Sequence, residues 1–124
     1  MCEGVYHGAV SVHAQDDMFH LKGAEICHCL IDGGFRLPWS ARIRADTPLK
    51  ILELMAEAGC KRVHVGVEAL DDSLLTWACK GFTEKRLEQF LSDCRTCHLG
   101  VLAYLIMGIP GETPTYRESL LPRL

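Results

Sequence analysis

The stretch RVHVGVEALDDSLLTWACKG, at 62–81, decides the fold. Its first part, RVHVGVEAL at 62–70, reads as a strand. Two aspartates then stand where a helix needs side-chain acceptors for its first free N–H groups. SLLTWACK reads as a short helix, stopped by Gly81, which takes a left-handed terminus without a Cβ penalty. A strand, a cap and a helix in twenty residues are one half of a βαβ unit.

Outward from that unit the same alternation recurs. GAVSVHA at 8–14 is β-branched and turns at Gln15, Asp16 and Asp17; apolar residues at helical spacing follow from 22 to 32 and stop at Gly33-Gly34. WSARIRA at 39–45 reads as a second strand. Thr47 is predicted to cap a helix whose first position is Pro48, with Leu52, Met55 and Ala56 inward and Gly59 at its end. Thr83 opens a longer helix with the stripe Leu87, Phe90, Leu91 and Cys94, closing at Gly100. VLAYLIM at 101–107 is a fourth strand, apolar at successive positions, as a parallel strand covered on both faces would be. Thr113 with Pro114 starts a last helix. Four strands alternating with helices predict right-handed crossovers and a parallel α/β sheet, open or curled into a partial βα barrel.

Composition narrows the function. The 124 residues are one domain's worth, with a net charge of -3 that makes no electrostatic case for nucleic acid or an anionic membrane. The longest apolar run cannot span a bilayer, and the N-terminal residues lack a signal peptide's basic and apolar regions, so a cytoplasmic protein is expected. The seven cysteines then read as reduced thiols in apolar helix faces. CRTCH at 94–98 matches a haem-attachment spacing, but Cys94 continues a helix's apolar stripe. Zinc shared with Cys27, His28 and Cys29 would need neighbours that point to different faces of one helix. Redox use of Cys94 and Cys97 would call for a helix N-terminus, and the pair stands near a C-terminus. No lysine is read at a strand end for a Schiff base. Trp77 and Phe82 are expected to pack on the sheet, and His13 and His64 to be hydrogen-bonded within strands.

In parallel α/β proteins ligands gather at the carboxyl ends of the strands. Those ends offer Asp16 and Asp17, then Arg42, Arg44 and Asp46, then Gly66 and Glu68, then the bend LIMGIPGET at 105–113. Gly108 and Gly111 let backbone approach a ligand, Pro110 stiffens the turn, and the N–H and C=O edges of the bend are expected to be available. A mixed set of carboxylates and guanidiniums suits a small zwitterion, although Asp16, Asp17, Asp71 and Asp72 could equally be helix caps.

The order and spacing of four segments resemble the radical S-adenosylmethionine (SAM) superfamily, in its cobalamin-associated and methylthiotransferase-like branches. They are VSVHAQDDMF at 10–19, LPWSARIRAD at 37–46, MAEAGCKRVHVGVEALDDSLLTWACKGFT at 55–83 and LIMGIPGET at 105–113. The resemblance implies a TIM-like partial barrel, with residues 1–124 forming roughly its second to fifth βα units. It further implies SAM and a four-iron four-sulfur cluster as cofactors, with 5′-deoxyadenosyl radical chemistry and a reductant protein as partner; the cobalamin-associated branch adds the option of a flanking cobalamin domain. By position, Asp16 and Asp17 fall where the family contacts the SAM amino group and Arg44 where a base meets its carboxylate. Glu68 falls near ribose and methionine, and Gly108, Ile109, Pro110, Gly111 and Glu112 by the adenine. The family's Cys-x3-Cys-x2-Cys does not occur, so the cluster ligands are expected in an upstream segment and the chain is expected to be a fragment of a longer enzyme. The competing expectation is a degenerate, non-catalytic module that takes a nucleotide-like ligand or a protein partner.

Overall fold

The structure, a computed structural model, describes residues 8–15 and 19–123. Four strands, β1 (Val12–Ala14), β2 (Trp39–Ile43), β3 (Cys60–Glu68) and β4 (Gly100–Leu105), form one sheet in the order β1-β2-β3-β4, and every neighbouring pair is parallel. Between them run α1 (Phe19–Asp32), α2 (Leu49–Glu57), α3 (Asp72–Trp77) and α4 (Glu84–Thr96); α5 (Pro114–Leu120) and a 3-10 turn (Leu121–Arg123) follow β4. None of the described helices is long and apolar enough to cross a membrane.

The sheet has two unlike faces. On one, Trp39, Ala41 and Ile43 of β2 and Val63, Val65 and Val67 of β3 are buried. They join Phe19 and Cys27 of α1, Leu52 and Met55 of α2, and Leu87, Phe90 and Cys94 of α4 in one cluster. Burying an aliphatic side chain there stabilises by about 1.5–3 kcal/mol, which is why α2 packs on both α1 and α4 across this face. Trp39 resolves as a core residue. Its ring lies 5.6 Å from Phe19 and its indole N–H donates to the Ala58 carbonyl at 2.8 Å. The alternate positions, Ser40, Arg42, His64 and Tyr104, carry polar groups on the opposite face, and no described helix covers them.

Local signals explain the helix starts. Asp71 caps α3, its carboxylate accepting from the Ser73 and Leu74 N–H groups, and Thr83 caps α4 by accepting from Arg86 N–H. Thr113 accepts from Tyr116 N–H ahead of α5. Thr47 departs from expectation. Pro48 is the N-cap of α2, and Thr47 Oγ1 donates to the Arg44 carbonyl at 2.7 Å, so its side chain closes the turn leaving β2 rather than the helix.

Three other expectations need correction. β4 is not covered on both faces: Leu102 and Tyr104 are 41% and 43% exposed because they share with His64 the face that no described helix covers. Ile106 and Met107, just past the strand, are 48% and 59% exposed. Trp77 is 55% exposed instead of packed on the sheet, whereas Phe82 does reach the core. Leu91 is also exposed, and Ala56 only half buried, since each sits at the margin of its helix's apolar stripe.

Candidate functional site

The carboxyl ends of β2 and β3 open onto a hollow of about 350 Å³, lined by Arg42, Ile43, Arg44, Gly66, Glu68, Lys80, Phe82 and Tyr104. Arg44 enters it immediately after β2. Its guanidinium forks onto Asp46, with Nε donating to Oδ1 at 3.0 Å and Nη2 to Oδ2 at 2.9 Å, and Nη2 also donates to the Lys80 carbonyl at 3.1 Å. The hydrogen bonds to Asp46 hold the Arg44 guanidinium even more firmly protonated than usual. Both partners are more than two-fifths exposed, so the pair orients Arg44 more than it stabilises the fold.

Glu68 ends β3 in an unusual backbone state, with φ at +70°. A left-handed non-glycine residue costs about 1–3 kcal/mol and persists where surrounding contacts impose it. Here the β3–β4 register slips between Gly66 and Glu68, and the Glu68 carbonyl accepts the Ile106 N–H at 2.9 Å. The slip turns the Glu68 side chain into the hollow, where its carboxylate accepts from Lys80 Nζ at 2.9 Å. Gly66 makes that possible. A Cβ added at Gly66 would stand 2.8 Å from Glu68 Oε1 and 3.3 Å from Lys80 Nζ.

Lys80 is the residue that strand-end reasoning missed. It follows α3, yet the chain there turns back with Cys79 at φ +52° and Gly81 at φ +73° and delivers the ammonium to the end of β3. A basic residue next to Gly81, just past a helix stop, is the only sequence signal of that return. The reading that no lysine stands at a strand end is therefore corrected: Lys80 arrives there through space, paired with Glu68.

The bend after β4 is built differently from expectation. Gly108 and Gly111 take φ of +83° and +92°, so glycine is needed at both. But Glu112 Oε2 accepts from the N–H groups of Gly108 at 2.6 Å and Ile109 at 3.2 Å, and Glu112 N–H donates to the Ile109 carbonyl. Those edges are consumed inside the bend. Glu112 Oε1 lies 2.7 Å from Arg117 Nε without a well-aligned hydrogen bond, and its side chain is only 2% exposed. Ile109 is buried against Ala69, Leu74 and Leu75, which fastens the bend beside α3, while Pro110 is exposed. Through Ile106 and Ile109 the bend stays at the same end of the sheet as Arg44 and Glu68. Asp16 and Asp17 lie outside the described residues.

The thiols stand apart from this end. Burial pushes Cys27 up to about 11 and Cys60 and Cys94 up to about 12, so all three are neutral core groups. Among the described residues no group of three His, Cys, Asp or Glu side chains could hold a metal ion.

Residues 10–123 match the family model described as Radical SAM superfamily, and the chain belongs to that superfamily. It is 27% identical, over 93% of its own length, to "Uncharacterized methyltransferase PH0819" of Pyrococcus horikoshii. The radical S-adenosylmethionine methyltransferase TsrM from Kitasatospora setae, solved with cobalamin and a [4Fe-4S] cluster, superposes with a TM-score of 0.75 at 22% identity over 94% of this chain. OxsB, a cobalamin-dependent S-adenosylmethionine radical enzyme solved with aqua-cobalamin, gives 0.69 at 19% identity over 79%. The chain spans only 26%, 25% and 16% of those three proteins. The architecture is thus that of a partial TIM-like barrel, in which α1, α2 and α4 form the outer layer and the polar sheet face is the inner one.

Proposed function

We propose that this chain supplies the SAM-binding strand ends of a cobalamin-associated radical SAM methyltransferase core. The observation that carries it is the convergence of Arg44, Glu68 and Lys80 on one hollow at the carboxyl ends of β2 and β3. SAM offers a carboxylate, an ammonium, ribose hydroxyls and an adenine ring, and this donor set answers the first three. Arg44 presents a planar fork to a carboxylate, Glu68 accepts from an ammonium or ribose hydroxyl, and Lys80 holds the Glu68 carboxylate at 2.9 Å. The absence of a Cβ at Gly66 keeps that carboxylate in place. Phe82 in the hollow, with the exposed Pro110 of the bend, supplies apolar surface for a flat ring, while Ile109 only anchors the bend.

When bound, SAM together with a reduced four-iron four-sulfur cluster supplies radical or methyl-transfer chemistry. The described residues do not fit the cluster, so no step is assigned through it; a reductant protein and cobalamin belong to the same reading. Calorimetric titration with SAM tests it. Arg44→Ala should weaken binding by about tenfold or more, the cost of one charge-assisted pair. Unchanged affinity removes Arg44 from the site. Lys61→Ala, exposed at the other end of β3, should bind as the parent does.

A second reading is a non-catalytic module that takes a nucleotide-like ligand, favoured by the poor fit of the described thiols to a cluster. Anaerobic reconstitution with iron and sulfide separates the two: a stable preparation that cleaves SAM excludes the second.

A further inference from the structure

Beside the hollow, toward the amino ends of the strands, the open face of the sheet carries a cluster of nitrogen groups that the SAM reading does not use. The His13 and His64 rings, from β1 and β3, lie with centroids 4.4 Å apart and planes tilted by 35°. Each is held through Nδ1, His13 by the Ser40 hydroxyl at 2.8 Å and His64 by the Tyr104 hydroxyl at 3.1 Å. Nε2 of each imidazole has no hydrogen bond among the described residues, and it carries the ring proton in the tautomer in which the hydroxyl donates to Nδ1.

Arg62 stands opposite Ser40 in the strand register, next to this pair, and Arg42 is registered with His64. The Arg42 guanidinium carbon lies 6.0 Å from the Tyr104 ring centroid. Among the described residues no carboxylate pairs with Arg62 or with either imidazole. The acids toward the far end of this face are engaged, Asp46 by Arg44 and Glu68 by Lys80. A small hollow of about 210 Å³, lined by Ser11, Ser40 and Arg62 among others, adjoins the cluster at the amino ends of the strands.

Such a cluster repels cations and rewards an anion. Partial desolvation, then His13, Arg62 and Arg42, hold the His64 imidazole below its ordinary basicity. An oxyanion placed against the Nε2–H groups and Arg62 would reverse the charge part of that effect, so that binding takes up a proton. We propose that His13 and His64, with Arg62 and Ser40, bind an oxyanion, a carboxylate or phosphate group of a ligand laid along the open face of the sheet. This site adjoins the SAM hollow, whose lining includes Arg42 and Tyr104, but its anchoring groups His13, Ser40, Arg62 and His64 are not part of that lining and do not require SAM.

The probes are inorganic phosphate and acetate, titrated into the histidine-labelled full chain and followed by NMR of the imidazoles. Saturable shifts of His13 and His64, with the His64 pKa rising on binding, are expected. Affinity should fall as pH rises through the histidine range, by up to about tenfold per unit if one proton is taken up. Arg62→Met, a substitution at an exposed position, should weaken binding about tenfold. His64→Gln should bind phosphate with a flatter pH profile. Response to phosphate alone assigns the ligand group as phosphate, and response to both as any oxyanion. Shifts that never saturate, or that persist unchanged in Arg62→Met, overturn the proposal, as does preferential binding of zinc by the two imidazoles. SAM affinity measured on the same sample reports the other site separately, so loss of one does not imply loss of the other.

Discussion

Along β3, Val63, Val65 and Val67 are sealed beneath α2 and α4, while His64 and Gly66 between them and Glu68 after them face the uncovered side. One strand thus carries two sets of rules in alternate positions. On the covered face volume and apolarity decide everything, and a wrong atom costs stability. On the open face the same backbone holds imidazoles, a strained carboxylate and an incoming ammonium, none of which the fold requires. The difference teaches where to look for function: stability is concentrated under the helices, and the chemistry is spread across the other side.

Substitutions should separate the faces cleanly. Phe90→Ala, in a fully buried position of α4, should cost about 3–5 kcal/mol in urea unfolding, enough to populate the unfolded chain of a domain this size. A loss below 1 kcal/mol would mean that the helices are not what holds the sheet. Alkali should come next. Unfolded thiols ionise near pH 8.5, whereas Cys27, Cys60 and Cys94 keep their protons to about 11, 12 and 12. The unfolded state therefore sheds protons first, and stability should fall as pH rises above 8.5, by somewhat under about 1 kcal/mol per thiol at pH 9. A flat profile between pH 8 and 10 would place those thiols in water.

Gly66→Ala reverses the pattern. The new methyl must push the Glu68 carboxylate off Lys80. Loss of a partly exposed ion pair, about 0–1 kcal/mol, is offset by a similar gain from restricting the unfolded chain. Unfolding should hardly change, while SAM affinity drops. Equal losses in both would erase the distinction between the faces. The smallest effect should come from His64. Because its folded pKa lies below the usual value, the unfolded state takes up its proton first as pH falls. Stability should be full above pH 6.5 and decline gently below it, and His64→Gln should remove that decline.

The covered face was legible in the sequence because it is written in periods. Valine at every second residue of β3, the Leu52 and Met55 stripe of α2, and the Asp71 and Thr83 caps are local rules that local structure obeys. Two of the candidate site residues, Arg44 and Glu68, were readable for a related reason: ligands collect at strand ends, and strand ends can be counted. Lys80 was not, since its approach to Glu68 depends on two left-handed residues and a return across space. Thr47 and Glu112 misled in the opposite way. Each is a polar residue at a helix or loop boundary, and each spends its side chain on a neighbouring turn, a choice that only the tertiary geometry makes. β4 looked interior because apolar residues at successive positions resemble a strand covered on both faces, and the sequence of a strand does not say whether anything packs on each face.

The fork between Arg44 and Asp46 has one more consequence. A carboxylate ligand arriving there meets no vacant cation; it meets a rival already seated on the same guanidinium, at 2.9 and 3.0 Å. Binding is then an exchange of acids, in which Asp46 must find water as the newcomer docks. The affinity that results is a difference between two similar pairings, so weakening the resident acid, as in Asp46→Asn, strengthens the visitor without adding a single contact to it.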